Sequence, residues 1–331
     1  MINVPSRRRA VLGFIGAVAV GPQAIFAKQA YACSGSYSDG VFHTINLRQF
    51  AQALERTSNG DVQLEVTPNA QLMPMGQVLP SLSAGKLAFG EVLMSSYGAE
   101  DPLLAFDSLP FVLNNVNQAN RMWEVSRKPI EEALLQRGVR VLYAVPWPAQ
   151  NLFSRIPITR LEDLKGLRFR VYNDTSARVA EAAGAAPVAI TAADLPSAVE
   201  AGRVDAMITS SITAVDCQAW RSMTNMVACA AWVPKNMVCI SEAVWKSLNS
   251  RGQAAVMASA REAEERGWRM SREADEQAQK LLIQKKVQIV ATPPELRRSL
   301  EHISERACSA WSRRAGFAGS QVFLSYYSQK V

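Results

Sequence analysis

Short apolar runs alternate with stretches of helical periodicity along the first part of the chain. Apolar runs of strand length lie near Gln29–Ser34, Val62–Thr67 and Val139–Val145. Stretches with helical spacing of apolar residues lie between them, near Thr44–Arg56 and Val116–Arg137. Strands separated by helices in this rhythm predict an α/β fold with a largely parallel sheet and helices on its faces.

The same rhythm starts again in the middle of the chain, where the helix and strand boundaries are marked most clearly. Asp174 or Thr175 is expected to cap a helix that Gly184 closes, and Thr191 is expected to cap the next helix. The predicted elements of this block are the strand Leu167–Val171, the helix Ser176–Ala183, the strand Pro187–Ile190, the helix Asp194–Ala201 and the strand Arg203–Ile208.

A long helical stretch follows, from about Ser241 to Lys286, with a break at Asn249–Gly252. Its length is several times the mean of about 11–12 residues for a helix. Such a helix either runs along both halves of a two-lobed protein or packs on the surface of one lobe. The tail predicts a strand at Val287–Ala291 and a helix at Pro294–Gly316.

The first segment is typical of an export signal. Three arginines, Arg7–Arg9, precede the uninterrupted apolar run Ala10–Val20. Eleven helical residues rise about 16 Å, about half of a hydrocarbon core of about 30 Å, so the run is too short for a stable anchor. The adjacent arginines resemble a twin-arginine signal, which predicts residues 1–27 as a signal peptide and a periplasmic location. The alternative is an amphipathic first helix of a cytosolic protein.

Charge and motifs narrow the class of function. The 331 residues carry a formal charge of +7, but the leading arginines supply three of those charges. No later run of Lys and Arg has interleaved aromatic residues, so we expect no nucleic-acid partner. The two histidines, His43 and His302, fit no metal-binding pattern, and the five cysteines form no CxxC pair. Glycine-rich phosphate loops and a GxSxG elbow are also missing, so we expect no cofactor, metal or catalytic residue.

Polar side chains gather where the predicted strands of the middle block end. Arg170 lies at the end of one strand, Asn173 follows in the loop, and Thr209 and Ser210 end another strand. Ligands of parallel α/β sheets bind beyond the carboxyl ends of the strands. A guanidinium offers a planar fork of donors that matches a carboxylate. Taken alone, an arginine on a strand is more often a surface or ion-pair residue, and the alternative that this position raises is an acid-binding crevice.

Several segments together resemble the solute-binding proteins of TRAP (tripartite ATP-independent periplasmic) transporters. The segment Leu161–Val171 reads LEDLKGLRFRV, and the similarity continues in register through Gly184–Val188 and Ala198–Ala206. Upstream, Leu109–Phe111 matches the LPF element of the family, and downstream Pro234–Asn236 also fits. The similarity covers nearly all of the chain after the signal.

The resemblance implies a two-lobed, hinged fold of the periplasmic binding protein type, with a long helix spanning both lobes. Lobe I is expected to comprise residues 28–147 with 235–275, and lobe II residues 148–234 with 276–331. The protein would close on a small organic acid and deliver it to a TRAP-type membrane permease. Arg170 matches the family's carboxylate-binding arginine, and we expect a monomer. Alternatives are an exported hydrolase that uses the same cleft, or a binding protein for another importer or a sensor.

Other residues are expected to line the cleft. Thr209 stands where many members have Asn, which weakens an assignment to simple dicarboxylates, and Gln150 stands where sialic-acid members have a second arginine. Arg170 is the one firm positive charge expected in the cleft, which predicts a ligand with one carboxylate. If the side chains of Phe42 and Trp147 reach the ligand, they favour an aromatic or otherwise apolar acid, with keto and hydroxy acids included. Trp147 is equally a candidate for a structural residue that fills the hinge between the lobes. The remaining candidates are His43, which a capping or core role would also explain, Asn151 and Lys235.

Overall fold

A computed structural model of the chain describes residues 29–328, and these residues form eleven strands and nine α-helices. The predicted signal segment, residues 1–27, lies outside the described residues. The strands are β1 (Gln29–Ser34), β2 (Val62–Thr67), β3 (Phe89–Leu93), β4 (Val139–Pro146), β5 (Asn151–Ser154), β6 (Arg168–Val171), β7 (Ala186–Ala189), β8 (Ala206–Thr209), β9 (Asn225–Ala228), β10 (Lys235–Ser241) and β11 (Gln288–Ala291). The helices are α1 (Phe42–Thr57), α2 (Met75–Ser83), α3 (Val116–Leu135), α4 (Asp174–Ala182), α5 (Leu195–Glu200), α6 (Ser211–Asp216), α7 (Glu242–Ser247), α8 (Ser250–Gln284) and α9 (Pro294–Ser328).

The strands form two sheets, one in each lobe. The first sheet has the order β2-β1-β3-β10-β4, and the second has the order β11-β9-β5-β8-β6-β7. In the first sheet β1 pairs in parallel with β2 and β3, whereas β10 is antiparallel to β3 and β4. In the second sheet β6 is parallel to β7 and β8, whereas β5 is antiparallel to β8 and β9. The two-lobed α/β prediction is confirmed, and each sheet contains an antiparallel strand that the rhythm of the sequence did not predict.

Two adjacent chain segments connect the lobes and form the crossing. One runs from β4 to β5, and the other leads from β9 into β10. Backbone hydrogen bonds tie them together: Trp147 donates to the Pro234 carbonyl at 2.8 Å, and Gln150 donates to the Trp232 carbonyl at 2.9 Å. Residues at the crossing are therefore held at the boundary between the two lobes.

The long helix α8 spans both lobes, as predicted, and the break before it lies at Asn249, whose side chain caps it. Its middle packs on the first lobe, where the Trp268 indole donates to the Ala144 carbonyl of β4 at 2.9 Å. Near its end, Leu282 is fully buried in the core of the second lobe with Leu195 and Val287. The helix therefore forms a third connection between the lobes.

One of two predicted helix boundaries differs from the structure, and the other agrees with it. Helix α4 is capped by Asn173 and not by Asp174 or Thr175, because the Asn173 backbone is extended and its side chain accepts from the Ser176 N–H. Helix α9 was expected to end at Gly316, and its first helical segment does end there: Gly316 has a non-helical backbone with a positive φ of 56°, the chain bends at this residue, and a second helical segment follows to Ser328. Glycine permits that bend without steric cost. Within residues 29–328, no helix is long and apolar enough to cross a membrane.

Candidate functional site

A cavity of about 230 Å³ lies between the lobes, next to the crossing. Both lobes and both connecting segments contribute to its wall. The lining residues are Tyr37, Met75, Gly76, Leu93 and Ser96 from the first lobe, Trp147, Gln150 and Pro234 from the crossing, and Arg170, Tyr172, Thr191, Ala192, Thr209 and Thr213 from the second lobe. The wall is thus mainly apolar and aromatic, with a few polar groups, as is usual for small-molecule sites.

Arg170 is the charged group of this cavity. Its side chain is 4% exposed, its Nε donates to the Ile190 carbonyl at 3.0 Å, and its guanidinium carbon lies 4.5 Å from the centre of the Tyr172 ring. The two terminal nitrogens have no hydrogen-bond or ion-pair partner among residues 29–328. Burial lowers the pKa of this guanidinium, because a buried charge without a counter-ion is unfavourable. The arrangement is suited to an anionic ligand.

Three other predicted residues reach the same cavity. Thr209 ends β8, directly opposite Asn151 in the sheet register, and its hydroxyl has no partner within the described part of the chain. The Gln150 Nε2 donates to the Pro148 carbonyl at 2.8 Å. Trp147 lines the cavity with its ring, and its Nε1 donates to the Asn236 Oδ1 at 3.0 Å. Trp147 therefore combines the two roles that the sequence left open, a cavity wall and a fixed part of the crossing.

Asn173 and Ser210 are not brought to the cavity wall, because both cap helices. The Asn173 Oδ1 accepts from the Ser176 N–H at 2.9 Å, and its Nδ2 donates to the Ser95 hydroxyl of the first lobe at 2.9 Å. The Ser210 hydroxyl accepts from the Thr213 N–H at 3.1 Å. Asn173 therefore links the lobes beside the cavity, and its direct contact with a ligand stays a prediction.

Asn151 and Lys235 also lie off the cavity wall, each with a partner in the protein. The Asn151 Oδ1 accepts from the N–H of Ala230, whose backbone has a positive φ of 46°. The Lys235 ammonium lies 3.5 Å from the Asp107 Oδ2, and both side chains are 1% exposed. Burial lowers the pKa of Lys235 and raises that of Asp107. Lys235 is therefore a paired cation at the crossing, where β10 begins.

Phe42 and His43 form a layer next to Trp147 and do not line the cavity. The His43 ring centre lies 4.5 Å from that of Trp147 and 4.1 Å from that of Phe42. Burial lowers the pKa of His43 far below its usual value, so the imidazole is neutral at pH 7. The structure thus places both residues in the core of the first lobe, and any contact with a ligand stays a prediction.

Several residues that line the cavity were not predicted from the sequence, although some of them lie at strand ends where a ligand is expected. Tyr172 directly follows β6, and Thr191 lies just beyond the end of β7. Tyr37 belongs to the Ser-rich turn that follows β1. The rule that places ligands at the carboxyl ends of strands selects all three. The same rule selects Leu93, which is the last residue of β3, whereas Met75 at the start of α2 carries no such signal.

Two α/β lobes joined by crossing segments, with an unpaired arginine buried between them, define a solute receptor of the periplasmic binding protein type. The family model of the bacterial extracellular solute-binding proteins, family 7 (DctP), matches residues 34–313. The chain therefore belongs to this family, and the resemblance to TRAP solute-binding proteins is confirmed. Within residues 29–328, no group of three or more His, Cys, Asp or Glu side chains is arranged to hold a metal ion.

Curated relatives and solved structures agree with this assignment. A solute-binding protein of Albidiferax ferrireducens is 27% identical over 65% of this chain, and the sialic acid-binding periplasmic protein SiaP of Vibrio cholerae is 26% identical over 61%. The match spans 64% of the length of each relative. The Bordetella pertussis receptor DctP7, solved as a receptor binding pyroglutamic acid, is 30% identical with a TM-score of 0.88 over 90% of this chain and 99% of its own. DctP6 of the same organism, also described as binding pyroglutamic acid, is 27% identical with a TM-score of 0.89 over 91% of this chain and 100% of its own.

Proposed function

We propose that this protein captures a small organic monocarboxylate in the periplasm and delivers it to a TRAP-type membrane permease. The observation that carries the proposal is the state of Arg170, which is buried in the interlobe cavity without an acidic partner among the described residues. A carboxylate would satisfy the two free terminal nitrogens together and offset the cost of burying the charge. Ligand binding would then favour the closed arrangement of the lobes.

The balance of charge supports a ligand with one carboxylate. Arg170 is the charged residue among those that line the cavity, within the part of the chain described. The other cation predicted for the cleft, Lys235, lies off the cavity wall and is paired with Asp107. A second carboxylate would therefore lack a counter-charge, which makes a dicarboxylate an unfavourable ligand.

The size and wall of the cavity support a compact, partly apolar acid. Its volume of about 230 Å³ lies below the range of about 300–1,000 Å³ typical of drug-sized ligands. The rings of Trp147, Tyr172 and Tyr37 offer flat apolar surfaces, and such surfaces suit a small ring. Pyroglutamate, the ligand of DctP7 and DctP6, fits this description and is the first acid to test. Aromatic acids and keto or hydroxy acids complete the panel.

A receptor function fits the site better than a hydrolase function. Hydrolysis by a nucleophile requires an adjacent general base, and neither histidine lines the cavity. Incubation of the bound acid with the protein, followed by NMR, separates the two functions. A receptor returns the acid unchanged, and a hydrolase or other enzyme returns a product.

Isothermal titration calorimetry with the acid panel tests the proposal. For the acid that binds, Arg170→Ala is expected to lose about 2–5 kcal/mol of affinity, as when one partner of a buried charge pair is removed. Arg170→Lys should also bind weakly, because the planar fork is lost. Arg168→Ala is the matched control: Arg168 lies on the same strand but is exposed and paired with Asp205 at 2.6 Å. Unchanged affinity in Arg170→Ala would refute the proposed role.

A further inference from the structure

The side-chain amide of Gln150 has a defined orientation. Its Nε2 donates to the Pro148 carbonyl at 2.8 Å, and a carbonyl only accepts, so the nitrogen and not the oxygen must face it. The backbone on either side is also held, because the Gln150 N–H donates to the Trp232 carbonyl at 2.9 Å and its carbonyl accepts from the Ala231 N–H at 2.7 Å. Gln150 is therefore a rigid part of the crossing between the lobes.

This orientation leaves the Gln150 Oε1 as a free acceptor at the cavity. Gln150 lines the cavity and is 4% exposed, and its Oε1 has no hydrogen-bond partner among residues 29–328. Water reaches this oxygen in the ligand-free protein, since it is not one of the buried side-chain atoms that lack a partner. A ligand that displaces this water must supply a donor in its place, because an unmade hydrogen bond in the closed cavity is costly. The ligand is the group that can supply the donor once the lobes enclose it.

The neighbouring polar groups do not supply that donor. Trp147 Nε1 can only donate and points at the Asn236 Oδ1, which fixes the orientation of the Asn236 amide. The Tyr37 hydroxyl donates to the same Asn236 oxygen at 3.2 Å. The protons of Trp147 and Tyr37 are therefore donated to Asn236 and not to Gln150.

We propose that Gln150 selects acids that carry an N–H or O–H donor close to the carboxylate. This inference rests on the proposed function, in which Arg170 holds the carboxylate and so sets the position of the rest of the ligand. Lactams and hydroxy acids are then good ligands, whereas keto acids and carbocyclic acids of the same shape leave the Gln150 oxygen unpaired. A site built to pair with a donor discriminates strongly against analogues that lack it.

A matched pair of ligands tests the inference on the wild-type protein. Pyroglutamate has a ring N–H next to the carbon that bears the carboxylate. In 3-oxocyclopentane-1-carboxylate a methylene group replaces that N–H, and the carboxylate and the ring carbonyl keep their places. Calorimetry is expected to show pyroglutamate binding at least tenfold more tightly than its carbocyclic analogue. Lactate against pyruvate is a second pair, with the hydroxy acid expected to bind more tightly.

Two variants identify the residue responsible. Gln150→Met has a similar volume but no acceptor, so the preference for pyroglutamate should fall below threefold through loss of pyroglutamate affinity. Arg170→Lys should weaken both members of the pair and keep their ratio, because both carry the carboxylate. Equal wild-type affinities, or a preference that persists in Gln150→Met, would overturn the inference while leaving the carboxylate site intact. If no acid of either pair binds while another monocarboxylate of the panel does, the inference is overturned and the proposed function stands. If no acid of the whole panel binds, both are overturned.

Discussion

The buried carboxyl group of Glu91 leads to a specific prediction about stability and pH. Glu91 lies on β3 and is 1% exposed, and its Oε2 accepts from the Ser36 N–H at 3.1 Å. The nearest basic group is His43, whose Nδ1 lies 3.6 Å from the Glu91 Oε1 and which burial keeps neutral. Burial without a cation raises the pKa of Glu91 from 4.5 to about 7, because desolvation disfavours the charged form.

The sign and size of the effect follow from this pKa. In the unfolded chain the Glu91 carboxyl loses its proton near pH 4.5, whereas in the folded protein it keeps the proton up to about pH 7. Between these values the folded state binds more protons, so its stability falls as pH rises and levels off above pH 7. At 1.36 kcal/mol for each pH unit, the loss amounts to about 3 kcal/mol.

Urea unfolding between pH 5 and 8 measures this effect against the variant Glu91→Gln. Glutamine has nearly the same shape and does not titrate, so the stability of wild type relative to Glu91→Gln should decrease by about 2–3 kcal/mol from pH 5 to 8. Glu65→Gln, at an exposed position of β2, is the control and should show no such trend. Parallel pH profiles for wild type and Glu91→Gln would show that folding does not raise the pKa of Glu91.

Two further predictions concern packing near the crossing. Lys235→Met should lower the free energy of unfolding in urea by about 3–5 kcal/mol, because it leaves the Asp107 carboxylate buried without its cation. The double variant Lys235→Met with Asp107→Asn should recover most of that loss. Additive losses in the double variant would contradict the pairing. Gly267→Ala in α8 should cost about 1–3 kcal/mol, because a Cβ there collides with the Val145 side chain of β4. Gly40→Ala, where a Cβ has open space, should be nearly neutral, and equal effects of the two glycine changes would contradict the packing argument.

Local signals in the sequence predicted the parts of the fold that depend on neighbouring residues. Strand β2 was predicted at its observed bounds, and the break before α8 was predicted at Asn249. The path of the chain between lobes was harder to predict, because β5, β9 and β10 owe their places to strand pairing over long sequence distances. The sequence of a short apolar strand does not determine which sheet the strand joins.

The site shows the same division between local and distant information. Arg170, Thr209 and Gln150 were predictable from their positions at strand ends and at the crossing. The partners of Asn173 and Lys235 were not, because Ser95 and Asp107 are distant in sequence and meet them only through the fold. A polar residue near a strand end is therefore a candidate whose role depends on whether another part of the chain already satisfies it.

A crystal structure of the protein with a bound acid from the panel shows whether Arg170 is the carboxylate site. We expect both carboxylate oxygens within about 3 Å of the two terminal nitrogens of Arg170, with the Nε still hydrogen-bonded to the Ile190 carbonyl. A carboxylate bound at Lys235, or outside the interlobe cavity with Arg170 still unpaired, would contradict this assignment.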